Sequence, residues 1–185
     1  KVATAVKDED FVEHLLIAST HATILCFSNL GKVYWLKVYQ IPLAGHNSRG
    51  RPMVNLLPLE AGERVTSILP VEEYTEGHYI FMATANGTVK KSALMDFARQ
   101  RSVGLRALHL DEGDVLVGTA VTTGACDVML FSSEGKTARF QEAEVRAMGR
   151  TARGVRGIRL REGHRMISLV IPKPGGRVLT RLKEE

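Results

Sequence analysis

The residues with the plainest chemistry are four arginines at positions 150, 153, 156 and 159, one at every third place in GRTARGVRGIRL (149–160). A row of guanidinium groups suits a row of phosphates, because each presents a rigid fork of donors that stays charged at any physiological pH. The backbone beneath them is unsuited to a helix. Positions three apart drift ~60° per step around an α-helix, and Gly149, Gly154 and Gly157 would each cost it about 1 kcal/mol. A strand has a period of two, so a step of three would alternate faces. An extended, polyproline-like path has three residues per turn and sets all four side chains on one side, about 9–10 Å apart. The expectation is an open segment displaying a file of cations.

Other chemistries find little support. The six histidines (His14, His21, His46, His78, His109, His164) never pair with one another or with cysteine at metal-ligand spacing. SSEGKT (132–137) ends like a phosphate-binding loop, but the required first glycine falls on Leu130, so a hairpin turn is expected there. KDED (7–10) reads as a solvated charge run, and no serine, histidine and acid share a catalytic context. No catalytic, cofactor-binding or metal-ligating residue is assigned, and the chain alone is not expected to be an enzyme.

Composition bounds the partners. The chain has 185 residues, 44% of them hydrophobic, which is enough for a real core. Its net charge of +5 favours an acidic partner. Cys26 and Cys126 lie in the apolar runs TILCF and ACDVMLF and read as small core hydrophobes in a reducing compartment. No apolar run approaches membrane-spanning length and no signal peptide is evident, so a soluble cytoplasmic protein without membrane contact is expected.

The elements that must position the arginines recur along the chain. An apolar run, a glycine turn and a basic strand appear as ATILCFSNLGKVYWLKV, HYIFMATANGTVKKS and CDVMLFSSEGKTARF, with turn glycines Gly31, Gly87 and Gly135. Acidic turns and β-rich runs follow as EAGERVTSILPV, DEGDVLVGTAVT and REGHRMISLVIP, with glycines Gly62, Gly113 and Gly163. Between these lie SRGRP, RSVGLR and ARGVRG, with Gly50, Gly104 and Gly154, so the arginine file occupies a recurring position. A repeat of about 50 residues built from four short strands makes an all-β, propeller-like disc of four-stranded blades, here incomplete. The repeats are placed at 14–71, 78–122 and 126–172, with the start of a further blade at 177–180. In the middle repeat the strands are predicted over 79–84, 88–92, 106–110 and 115–122, with short helical or turn segments in SALMDFARQ and QEAEVRAMG. Runs such as YIFMA, apolar at successive positions, require a sheet covered on both faces.

Equivalent positions of stacked units form a stripe, so the repeats turn scattered cations into an edge. The predicted phosphate contacts are Arg49, Arg51, Lys90, Lys91, Arg101, Arg106, Lys136, Arg139, Arg150, Arg153, Arg156 and Arg159, with the acids set apart at the glycine turns. Aromatic residues make up only 6% of the chain, which argues against stacking on single strands. Sequence-neutral binding and bending of duplex DNA fits best. A propeller-type protein-interaction scaffold is the alternative.

DEDFVEHLLIASTHATILCFSNLGKVYWLKVYQIP, SRGRPMVNLLPLEAGERVTSILPV, FMATANGTVKK and VRAMGRTARGVRGIRL together closely resemble the C-terminal domain of the bacterial DNA gyrase A protein. NLLPLE and ATANGTVKK favour that family over its topoisomerase IV relative, the other reading of the resemblance. The resemblance implies a β-pinwheel whose blades exchange strands and whose basic perimeter wraps duplex DNA in the positive sense. It implies as partners the rest of the gyrase A protein and the gyrase B protein in a heterotetramer, which uses ATP and Mg2+ to introduce negative supercoils, with no cofactor in this chain. The family's glycine-rich basic box, Q-R-R-G-G-K-G, is not found in these residues, which implies that the chain alone bends DNA without completing a wrap.

Overall fold

The computed structural model describes residues 15–45 and 50–174, and among these it is all-β, with short 3-10 turns and no α-helix. Three antiparallel sheets follow the three repeats. The first contains β1 (Thr23–Ser28), β2 (Lys32–Lys37) and β3 (Val65–Val71), and is completed by β6 (Leu105–Arg106) in the order β3-β1-β2-β6. The second contains β4 (Tyr79–Thr84), β5 (Thr88–Ala93) and β7 (Leu116–Thr122), completed by β10 (Val155–Arg156) in the order β10-β5-β4-β7. The third holds β8 (Asp127–Ser132), β9 (Thr137–Gln141) and β11 (Met166–Val170), in the order β11-β8-β9. The outer strand of each of the first two sheets is therefore lent by the next repeat. The start of a further blade expected at 177–180 lies outside the described residues.

Glycine makes this exchange sterically feasible. In each hairpin the turn glycine donates its amide to the residue three places back: Gly31 to Ser28 O (3.0 Å), Gly87 to Thr84 O (3.0 Å) and Gly135 to Ser132 O (3.1 Å). All three sit at positive φ (73°, 83° and 76°), the left-handed conformation that closes a three-residue hairpin loop. The Gly31 carbonyl then accepts two successive amides from the next repeat, Ala107 N at 2.8 Å and Leu108 N at 3.3 Å. The Gly87 carbonyl does the same for Gly157 N at 2.8 Å and Ile158 N at 3.3 Å.

That double acceptance explains why the strand predicted over 106–110 pairs only at Leu105–Arg106. Once Ala107 and Leu108 turn onto one carbonyl, the chain leaves the sheet edge and drives Leu108 into the core, where it is 1% exposed. Of the other middle-repeat strands, β4 and β7 and both 3-10 turns, Leu94–Phe97 and Glu142–Glu144, fall within the predicted segments, and β5 runs one residue past its predicted end to Ala93.

The apolar run of β4 faces two cores. Ile80 and Met82 join Leu25, Phe27, Val33, Phe97, Leu108 and Leu116 between the first and second blades. Phe81 and Ala83 join Val89, Val128, Leu130, Ile158 and Met166 between the second and third. Phe27 meets Phe97 edge-on at 6.1 Å, a geometry that adds to burial worth about 1.5–3 kcal/mol for each large apolar side chain. The strands opposite the lent edges converge. Ser67 Oγ on β3 lies 2.6 Å from Thr119 Oγ1 on β7, and a Cβ on Gly118 would meet Leu169 Cβ of β11 at 3.0 Å. β3, β7 and β11 thus line the inner side, and β6 and β10 lie outermost.

A Cβ at Gly87 would lie 2.8 Å from both Ile158 Cγ2 and Ile158 O, whereas one at Gly113, also at positive φ, meets nothing within 4 Å. Gly113→Ala should cost about 1–2 kcal/mol of backbone strain. Gly87→Ala should add a further ~1–3 kcal/mol of overpacking and loosen the second exchange. Urea denaturation of the two variants tests the difference, and equal losses would contradict the packing assigned to Gly87.

Candidate nucleic-acid interface

Arg106 and Arg156 hold equivalent places on the lent outer strands. Arg106 pairs with Lys32 across β2 and Arg156 with Thr88 across β5, with Leu105 and Val155 opposite Val33 and Val89. Both arginines are exposed. The three-stranded core of each blade fixes their backbone, and their side chains point from the outer margin into water.

Most other predicted contacts flank these strands. Arg101 is exposed in the tight turn that Gly104 closes onto its carbonyl (3.1 Å). Arg153 and Arg159 are exposed on either side of β10, and Arg150 is half-buried in a turn where Ala152 N bonds Gly149 O (3.1 Å). The continuous polyproline-like path is therefore corrected: the segment turns at 149–152, reverses through Gly154 at φ 100° and pairs as a strand only at Val155–Arg156. Close packing is the reason, since Cβ atoms at Gly154 and Gly157 would lie 2.5 Å from Val89 O and Val89 Cγ1. The amides of Gly104 and Gly157 are used inside the fold, so anion contact there falls to the side chains. Lys136 is exposed, with Nζ donating to Arg159 O at 2.9 Å, and Arg51 is exposed in the corresponding segment of the first repeat. Arg49 lies outside the described residues.

Lys90 and Lys91 are not on this surface. Lys90 is 0% exposed and its Nζ donates to Ala107 O (2.8 Å) and Arg150 O (2.5 Å). Lys91 is buried, donates to Glu142 O (3.1 Å), approaches Glu142 Oε1 (3.9 Å) and stands 4.8 Å from the Tyr79 ring centroid. The buried Glu142 carboxylate also accepts from Thr122 Oγ1, Gly124 N and Cys126 N. β5 is covered on both faces, so both lysines of VKK turn inward to carbonyls 17 to 60 residues away, beyond the reach of a phosphate.

The expected separation of acids from cations also needs correction. Glu63 and Asp114 are buried and brace their own turns, through Tyr34 Oη and Glu60 N (2.8 Å each) and through Asn86 N and Val115 N (2.9 Å each). Their exposed neighbours reach the cations: Glu60 pairs with Lys32, and Asp111 Oδ1 with Arg153 at 3.0 Å. Asp127 likewise pairs with Arg139. The Arg153 and Arg139 side chains stay 69% and 65% exposed, so these are surface pairs worth about 0–1 kcal/mol and are free to exchange partners. Arg99 and Arg146, exposed in the linkers before the lent strands, are further cations that the three-residue periodicity passed over. Their signal was position in the linkers SALMDFARQ and QEAEVRAMG.

Burial lowers the Lys90 ammonium to about 8, with Asp96 opposing the shift and Arg150 adding to it. Below pH 8 folded and unfolded chains both hold the proton. Between about 8 and 10.5 the unfolded chain keeps a proton that the folded one sheds, so stability rises with pH through that window. The unfolding free energy of the wild type minus that of Lys90→Met should be flat below pH 7 and climb from pH 8 to 10. A flat difference throughout would show the ammonium to be solvated.

A family model described as the DNA gyrase C-terminal domain, beta-propeller, matches residues 22–72, 78–123 and 127–173. The DNA gyrase A protein of Salmonella typhimurium is 58% identical over 97% of this chain, and that of Escherichia coli K12 is 56% identical over the same share. The chain spans about a fifth of the length of these relatives, with coverage of 20% and 21%. Among solved structures, the C-terminal domain of DNA topoisomerase IV superposes with a TM-score of 0.82 at 28% identity, over 93% of this chain and 54% of that one. A DNA gyrase A C-terminal domain shares the fold with a TM-score of 0.70 at 24% identity, over 84% of this chain and 50% of that one. Its blades exchange strands and one family model covers all three of them, so this chain belongs to the family of DNA gyrase C-terminal domains.

Proposed function

We propose that the chain is a non-catalytic module that binds and bends duplex DNA along its basic outer margin. The carrying observation is the equivalence of Arg106 and Arg156, exposed at matching registers on outermost strands lent by successive repeats. Arg51, Arg101, Lys136, Arg139, Arg150, Arg153 and Arg159 extend the contact, and Arg49 is assigned with them from the sequence alone.

The mechanism is electrostatic. Each phosphate neutralised releases condensed counterions, so affinity falls with salt by about 0.9 in log-log slope per contact. Smoothly bending a 20–30 bp site costs on the order of 1–6 kcal/mol, which the added phosphate contacts must exceed. The surface pairs with Asp111 and Asp127 are weak enough to yield their arginines to a phosphate. Nothing in this arrangement reads base edges, so binding is sequence-neutral. Within a whole gyrase A protein, assembled with the gyrase B protein on bacterial cytoplasmic DNA, the bent segment is delivered to strand passage driven by ATP. The nucleotide and Mg2+ chemistry then belongs to other parts of that assembly.

Arg153→Ala combined with Arg156→Ala should lower the salt slope by roughly 1.8, two contacts' worth, and weaken binding equally on unrelated duplexes. Fluorescence anisotropy across a salt series measures both, and an unchanged slope would remove these arginines from the interface. Incubating the chain with relaxed circular plasmid, adding topoisomerase I and resolving the topoisomers on a gel should show a shifted linking number, in the positive sense by the family resemblance. A distribution identical to the protein-free control would contradict a handed path of the duplex around the margin.

A further inference from the structure

Lys90 makes a connection that the DNA-binding reading does not use. Its Nζ bonds Ala107 O and Arg150 O. Ala107 directly follows Arg106 on the segment lent to the first sheet, and Arg150 begins the segment lent to the second. One fully buried ammonium therefore staples two successive exchanges, each carrying arginines of the outer margin. Neighbouring residues of β5 tie the second segment down further: Ser92 Oγ donates to Met148 O (2.8 Å), and Met148 N to Lys91 O (2.7 Å).

The matching places in the other repeats hold Tyr34 and Ala138. Tyr34 directs its hydroxyl to Glu63 instead, and alanine has no donor to offer, so among the described residues the staple belongs to the middle blade. An apolar side chain would fill the same interior without the desolvation cost of an ammonium. What it could not do is hold two carbonyls from different segments at a fixed separation, because that takes a head with at least two donors.

We propose that Lys90 is a positioning residue that sets the spacing of the Arg101–Arg106 and Arg150–Arg156 segments, and through it the curvature imposed on bound duplex. This rests on the DNA-bending reading above. Lys90 touches no phosphate; it fixes where the phosphate-binding groups of adjacent blades stand relative to each other. The charged groups bearing on it are Asp96, from the 3-10 turn after β5, and Arg150, from the lent segment.

The test uses a duplex of about 30 bp labelled at both ends, saturated with wild type, Lys90→Met or Lys90→Arg, with bending read by energy transfer and affinity read across a salt series. Lys90→Met should bend the duplex at most half as much as wild type at saturation while keeping the wild-type salt slope. Lys90→Arg, which retains charge and several donors, should restore the bend. Equal bending by wild type and Lys90→Met overturns the proposal. So does a slope reduced by about 1, which would make Lys90 a phosphate contact. If Lys90→Met does not fold, Lys90→Gln, whose amide nitrogen sits one bond nearer the backbone than Nζ, is read in its place by the same two measurements, and a wild-type bend overturns the proposal. A wild type that leaves the duplex straight defeats the DNA-bending reading itself and this proposal with it.

Discussion

One carbonyl per exchange carries the architecture. Gly31 O and Gly87 O each take two successive amides from the following repeat at matching distances. A side chain would collide with the supplying segment at Gly87 and crowd it at Gly31. Each of the first two sheets ends in a strand that is not its own, so no blade has both its outer edge and its core until its neighbour has docked. Exposed edges invite unwanted pairing, and here the edge is closed by the same segment that brings the arginines. Stability and the arginine-bearing margin are thus built by the same nearest-neighbour contact, as in repeat proteins generally.

The repeats were legible in sequence because their landmarks answer to local constraints. Gly31, Gly87 and Gly135 are required by positive φ at a hairpin, and Leu110 and Leu160 by the hollow over the preceding turn glycine. The apolar run of β4 announced a sheet covered on both faces, and Ile80 and Phe81 do face different cores. The depth of Lys90 and Lys91 was not legible. Their partners lie 17, 60 and 51 residues away, on segments whose approach is a tertiary event. A basic pair after a hairpin turn looks like surface from within its own strand. Arg139 makes the point from the other side. It occupies the place of Lys91 one blade later and is exposed, because no fourth strand covers β9 among the described residues.

The three-residue arginine period was informative for a different reason than the one it suggested. It does not describe a uniform helix of extended chain, since the segment turns at 149–152 and packs Gly154 and Gly157 against Val89. Arg153, Arg156 and Arg159 are nonetheless all exposed, because the glycines between them are the residues that approach β5. Alternation of close-packed glycine with long cation keeps the chain tight to the blade while its side chains reach outward.

On the proposed DNA-bending reading, curvature and affinity have separate sources in this molecule. Among the exposed arginines, Arg153 and Arg139 form weak surface pairs with Asp111 and Asp127. A phosphate gained at one of them adds to binding in proportion to number, with little demand on direction. Direction comes from the backbone beneath. Leu108 and Ile158 are pinned into the inter-blade cores, and Gly118 is packed against Leu169 at the inner side. A duplex that follows the margin must adopt the angle these interior contacts set between one blade and the next. Substitutions at the surface should then change how tightly DNA is held, whereas substitutions between blades change the path it takes.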